Sequence, residues 1–132
     1  MKKILSVIII AAALFVTKSA NAQEKAKWAE KDAFHKVMSE TFHPAEEGKL
    51  EPIRKRSQEM MDVAIAWKNS TAPAGYDKEK IMKDLKALVK GTKKLNKNVQ
   101  KNASDNDLKE ELTELHDLFH RITEKCSGED HH

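Results

Sequence analysis

The stretch DLKEELTELHDLFHRITEKC, residues 107–126, decides the fold. Its apolar side chains recur at the spacing of one helix face. Asp107 is followed three residues later by Glu110, a spacing that predicts a capping box at the helix start. The residues predicted to face the interior are Leu108, Leu112, Leu115, Phe119, Ile122 and Cys126. The stretch therefore predicts a long amphipathic helix that is buried along one side.

Proline, glycine and asparagine divide the preceding chain into three more stretches of helical periodicity, over residues 27–42, 51–69 and 77–101. The first should end at Phe42, because His43 precedes Pro44 and is thereby disfavoured in the helical region. No stretch alternates as a strand does, so the sequence predicts an all-α, up-down-up-down antiparallel four-helix bundle. The interior residues predicted for these helices are Trp28, His35, Met38 and Phe42; Ile53, Ser57, Met60, Ala64 and Trp67; and Ile81, Leu85, Leu88, Thr92, Leu95 and Val99.

Residues 1–22 have the pattern of a signal peptide. A basic start is followed by an apolar run over residues 4–16 and by the small-residue site Ala20-Asn21-Ala22. The run is shorter than the roughly 20 residues that cross a bilayer. We therefore expect cleavage after Ala22, no membrane anchor afterwards, and a periplasmic or secreted domain of residues 23–132 with a short disordered C-terminal tail.

The charge balance of the processed chain argues against a nucleic-acid partner. Removing Lys2, Lys3 and Lys18 from the 24 basic residues leaves 21, against 21 acidic ones. A formally neutral chain lacks the net basic charge that phosphate contacts favour. Cys126 is the only cysteine, so no intramolecular disulfide is possible. The sequence leaves open whether the chain forms a homodimer.

Three of the six histidines point to a metal site. His116 and His120 are one turn apart on one helix face, and in the predicted bundle His35 falls within about one turn of their level on the neighbouring first helix. Imidazole suits Zn and Cu, so the three side chains are candidate ligands. His35 carries most of this argument, because it interrupts an apolar stripe and a buried polar group needs a partner. The alternative is that the histidines at the edge of the helix are simply solvated.

A second candidate metal site comprises His43, Glu46 and Glu47 in the connection after the first helix. The alternative is a solvated turn whose acidic side chains stabilise the N-terminus of the second helix through the helix dipole. The terminal His131 and His132 are expected to be disordered. The sequence has no arrangement typical of a catalytic nucleophile or phosphate loop, so no enzymatic activity is predicted.

The segment LTELHDLFHR, residues 112–121, resembles the last helix of the exported four-helix cytochromes, the soluble periplasmic b-type cytochrome and, more distantly, cytochrome c-prime. The resemblance implies a non-covalent b-type haem with His120 as one axial ligand and His35 or Met38 as the other. The CxxCH motif of covalent haem attachment is absent.

Three hypotheses follow for the function. The first is a periplasmic protein that buffers or carries Cu or Zn through His35, His116 and His120, with His43, Glu46 and Glu47 as a weaker site. The second is a haem b electron carrier that uses His120 with His35 or Met38. The third is a metal-free bundle with a structural or partner-binding role.

Overall fold

A computed structural model describes residues 26–127, which form four α-helices and no strand. The helices are α1 (Ala29–Glu46), α2 (Glu51–Asn69), α3 (Lys78–Gln100) and α4 (Asp105–Ser127). Each helix packs on the next, and α1 also contacts α4. The all-helical, four-helix prediction is confirmed. None of these helices is long and apolar enough to cross a bilayer. The predicted signal peptide and the His131–His132 pair lie outside the described residues.

Local interactions define both ends of α3 and the start of α4. The Asp77 carboxylate accepts a hydrogen bond from the Glu79 backbone N–H (3.1 Å) at the start of α3, as the sequence predicts. The predicted capping box at Asp107 is wrong. Instead, the Ser104 hydroxyl accepts from the Asp107 N–H (3.1 Å), so the cap lies three residues earlier and α4 begins at Asp105. Asn102, with φ of 60°, turns the chain out of α3.

The prediction that α1 ends at Phe42 is also wrong, because the helix continues through Pro44 to Glu46. Proline removes its own backbone donor and crowds the carbonyl four residues before it, but burial of Ala45 in the core stabilises the additional turn. Gly48 then closes the helix with a φ of 87°, a conformation that favours glycine. Its N–H donates to the Ala45 carbonyl and the Lys49 N–H to the Pro44 carbonyl, each at 2.9 Å, which is a Schellman motif.

The interior follows the predicted faces of α2 and α4 without exception, and all their predicted core residues are buried. On α3 the agreement fails only at Val99, which is half-buried. On α1, His35 is exposed, contrary to the prediction. The buried stripe of α1 contains Phe34, Val37, Met38, Thr41, Phe42 and Ala45. Phe34 takes the interior position because burying its ring yields more free energy than burying a polar imidazole.

Aromatic rings fill the interior where α1, α2 and α4 meet. Phe34 lies 5.8 Å from Trp67 and 5.5 Å from Phe119, measured between ring centroids. Trp28 packs edge-on against Trp67 at 6.1 Å, and its indole N–H donates to the Ser70 hydroxyl at 2.8 Å. These rings form the floor beneath the groove between α1 and α4, where the histidines lie.

Candidate metal site in the α1–α4 groove

Two histidine side chains of α4 approach each other closely. His116 and His120 are separated by one helical turn, which places both on the flank of α4 that faces α1. Their Nε2 atoms are 3.2 Å apart and their ring planes meet at 73°. This distance suits either a hydrogen bond between neutral rings or the joint coordination of one ion.

Two phenylalanines hold histidine rings in place across the groove. The His116 ring stacks on Phe42 of α1 with 3.9 Å between centroids and 13° between planes. The His35 ring stacks on Phe119 of α4 at 5.3 Å and 22°. Each helix thus contributes a buried phenylalanine on which a histidine of the other helix rests. His35 is exposed, yet it is oriented by Phe119 rather than free to point in any direction.

The four histidines share one pocket of about 230 Å³ between α1 and α4. His43 belongs to it because α1 continues through Pro44, which places His43 two turns beyond His35 on the same side of the helix. The sequence contained this signal as an eight-residue spacing, but the expected helix end at Phe42 concealed it. The lining residues are His35, Met38, Ser39, Phe42, His43, His116, Phe119 and His120.

Burial lowers the pKa of His116, and a positive charge on His120 would lower it further. The nearby carboxylates of Asp117 and Glu46 act in the opposite direction. The net reduction leaves His116 neutral at neutral pH, which is the protonation state that metal coordination requires. The Asp117 carboxylate lies 3.6 Å from His116 Nδ1, on the side of the ring away from His120.

The second predicted site, at His43, Glu46 and Glu47, does not assemble as one cluster. The His43 Nδ1 is 3.7 Å from a Glu46 carboxylate oxygen, and both side chains are largely exposed. Glu47 instead pairs with Lys49 at 3.6 Å. His43 and Glu47 also line a shallow surface depression at the start of α2. The structure therefore brings His43 to the main histidine pocket and leaves Glu47 apart from it.

Within residues 26–127, no three His, Cys, Asp or Glu side chains lie close enough together to hold one metal ion. His35 lines the pocket but stacks on Phe119, so the Nε2 pair of His116 and His120 is the part already at ligand spacing. Asp32, a carboxylate one turn before His35, is paired with Lys31 at 3.7 Å. Met38 is 1% exposed and belongs to the core as well as to the pocket wall.

No protein-family model, no curated protein and no solved structure matches this chain.

Proposed function

We propose that this protein binds a transition-metal ion of the Zn or Cu class through His116 and His120. The observation that supports this most directly is the 3.2 Å separation of their Nε2 atoms. Two imidazole nitrogens that bind one zinc ion at 2.0–2.1 Å with tetrahedral geometry lie about 3.3 Å apart. The pair thus needs little rearrangement to coordinate an ion.

His35 and His43 are the residues that we assign as additional ligands, because both line the pocket that contains the pair. Glu46 adds negative charge near His116. A site with two fixed protein ligands and others at its rim leaves coordination positions of the metal open to water or to an exchanging ligand. Such a site suits a protein that carries or buffers metal, and we propose this role rather than catalysis.

We also propose that the chain is exported, with cleavage after Ala22, and that the helices form an up-down-up-down antiparallel bundle. The signal-like pattern of residues 1–22 supports export. The order of helix contacts and the four-residue connections between α1 and α2 and between α3 and α4 support the topology.

The haem alternative has less support. Met38 and His120 do line one pocket, as an axial pair would. However, its volume of about 230 Å³ is below the roughly 300–1,000 Å³ typical of ligand sites. Phe34, Trp67 and Phe119 fill the interior beneath it. A haem would have to displace these rings.

Metal titration of the untagged protein tests the proposal. We expect one Zn²⁺ or Cu²⁺ ion per chain by calorimetry, and a loss of affinity of at least tenfold in His116→Gln and in His120→Gln. The His131→Gln/His132→Gln variant is the control for adventitious binding at the terminus, and it should bind as the parent does. Unchanged binding by a His116→Gln/His120→Gln variant would contradict the proposal.

Protein purified from its own cells distinguishes the alternatives. A Soret band would identify the haem hypothesis as correct. Protein that has no Soret band and contains stoichiometric Zn or Cu is the result that we expect. Protein that takes up neither haem nor metal would leave the structural or partner-binding role.

A further inference from the structure

The outer face of α3 carries an uninterrupted concentration of positive charge. Between residues 86 and 101 the chain has six lysines and no acidic residue. At 100° per residue the six fall within an arc of about 100°, and at 1.5 Å per residue they extend over roughly 22 Å. We call this surface the lysine face; its members are Lys86, Lys90, Lys93, Lys94, Lys97 and Lys101, and all are exposed.

In the described part of the chain the lysine face forms no direct ion pair, although Glu114 of α4 lines the same surface depression as Lys90 and Lys94. No member forms an ion pair with any residue between 26 and 127. Other basic residues do pair: Arg54 contacts Asp105 at 2.7 Å, and Arg56 contacts Glu40 and Glu59 at 2.8 and 2.7 Å. Like charges three and four residues apart destabilise a helix, so an anionic partner that neutralises them would relieve this repulsion.

The chemistry of the lysine face favours a charged surface over a partner that requires specific contacts. The face has no arginine for bidentate recognition and no aromatic ring for base stacking. The apolar side of α3 is buried in the bundle through Leu85, Leu88 and Leu95, which fixes five of the lysines on one helix, with Lys101 directly after its last residue. Of the apolar side chains of α3 only the small Ala87 is exposed, so the helix presents no large apolar side chain to insert into a bilayer.

We propose that the lysine face docks on the headgroups of a membrane that contains anionic phospholipid. Four to eight basic residues grouped on one helix are typical of such electrostatic attachment. The contact is peripheral and independent of the proposed metal site. It attaches the bundle to a membrane surface by charge, since none of the helices described between residues 26 and 127 is long and apolar enough to cross a bilayer.

Co-sedimentation with lipid vesicles tests the docking surface. Untagged protein should bind vesicles that contain phosphatidylglycerol and should not bind vesicles of phosphatidylcholine alone. Binding should disappear between about 0.01 M and about 1 M salt, as the Debye length falls from about 30 to about 3 Å. In Lys90→Gln/Lys94→Gln/Lys97→Gln the partition coefficient should fall on the order of 100-fold, or about fivefold for each lysine.

The matched control is Lys27→Gln/Lys55→Gln/Lys109→Gln, which removes the same charge from exposed, unpaired positions outside the lysine face. This variant should retain binding within about threefold, because distant charges are screened. An equal loss in both variants would show an effect of net charge alone and overturn the proposal. Failure to bind the anionic vesicles, or tighter binding to duplex DNA than to those vesicles, would also overturn it.

Discussion

His116 is the residue whose environment most clearly departs from that of a solvated histidine. Its side chain is 25% exposed, it stacks on Phe42, and burial lowers its pKa below the ordinary 6.5. On acidification the unfolded chain therefore takes up this proton before the folded chain does. The linkage relation then requires that the contribution of His116 to the free energy of unfolding decreases as the pH decreases.

We predict that metal-free protein loses stability as the pH falls from above 6.5 through the lowered pKa of His116, with no further loss from this group below that value. Urea unfolding across this range measures the effect. In His116→Gln this part of the dependence of the free energy of unfolding on pH should be missing. The same slope in both proteins would contradict the assignment, and His43→Gln is the exposed-histidine control.

A buried hydrogen bond between α2 and α3 gives a second prediction at this scale. The Ser57 hydroxyl donates to the Asn96 side-chain oxygen at 2.7 Å, and both residues are buried. Ser57→Ala leaves that oxygen without this donor, so we expect the free energy of unfolding to fall by about 1–3 kcal/mol. Chemical denaturation measures it. Ser57→Ala/Asn96→Leu, which removes both polar groups, should recover part of the loss; no loss in Ser57→Ala would contradict the role of this bond.

At the scale of elements, Gly91 marks a close approach of α3 to α4. A Cβ at Gly91 would lie 2.6 Å from Leu115 Cδ2, a distance that forces the buried leucine to move. Replacing a helical glycine by alanine ordinarily stabilises by up to about 1 kcal/mol. Here overpacking of about 1–3 kcal/mol opposes it.

We predict that Gly91→Ala does not stabilise the protein and lowers its Tm. In a Leu115→Ala background the clash is removed, so the same substitution should raise the free energy of unfolding by about 1 kcal/mol. The double-mutant cycle measures the difference between the two backgrounds. Equal effects in both backgrounds would show that the close approach is unimportant.

The Schellman motif at the end of α1 gives another element-scale prediction. A Cβ at Gly48 would meet no atom within 4 Å, so the cost of Gly48→Ala comes from the φ of 87° alone. We expect a loss of about 1 kcal/mol, and a smaller loss for Gly48→Asn because asparagine tolerates this conformation better. Thermal unfolding of the two variants measures the order. A larger loss for asparagine would contradict this explanation.

Single residues and whole helices differ in how far their positions could be predicted from the sequence. The faces of α2 and α4 were predictable because their apolar residues have one consistent helical period. On α1 the period is ambiguous, since Phe34 and His35 are adjacent and both continue a plausible stripe. The contact of Phe34 with Trp67 and Phe119 resolves it, and such contacts between distant helices are not local properties of the sequence.

The pairing of His116 and His120 was predictable, but the full set of pocket residues and their arrangement were not. The one-turn spacing of His116 and His120 follows from helix geometry alone. The inclusion of His43 required α1 to continue beyond Pro44, against the local preference of the residue before proline. The stacking of His116 on Phe42 depends on how two helices meet, which local patterns do not specify.

For the whole molecule, metal binding should appear as a gain in stability. An ion that binds only the folded chain stabilises it by about 2.7 kcal/mol at a concentration 100 times its Kd. We therefore predict that Zn²⁺ or Cu²⁺ raises the Tm and that a chelator reverses the increase. The His116→Gln/His120→Gln variant should show no such increase. An equal increase in this variant would place the ion elsewhere.

The arrangement of the helices places the lysine face and two of the pocket histidines on opposite sides of the bundle. Of the described helices, α1 and α3 are diagonal, because each packs on α2 and α4 and not on the other. The six lysines lie on the outer side of α3, whereas His35 and His43 lie on α1. Residues 23–132 contain 21 basic and 21 acidic residues, so the lysine face concentrates positive charge on one side of a chain that is otherwise formally balanced. Docking through the lysine face, as proposed, would therefore leave α1, with His35 and His43, on the far side of the bundle from the anionic layer.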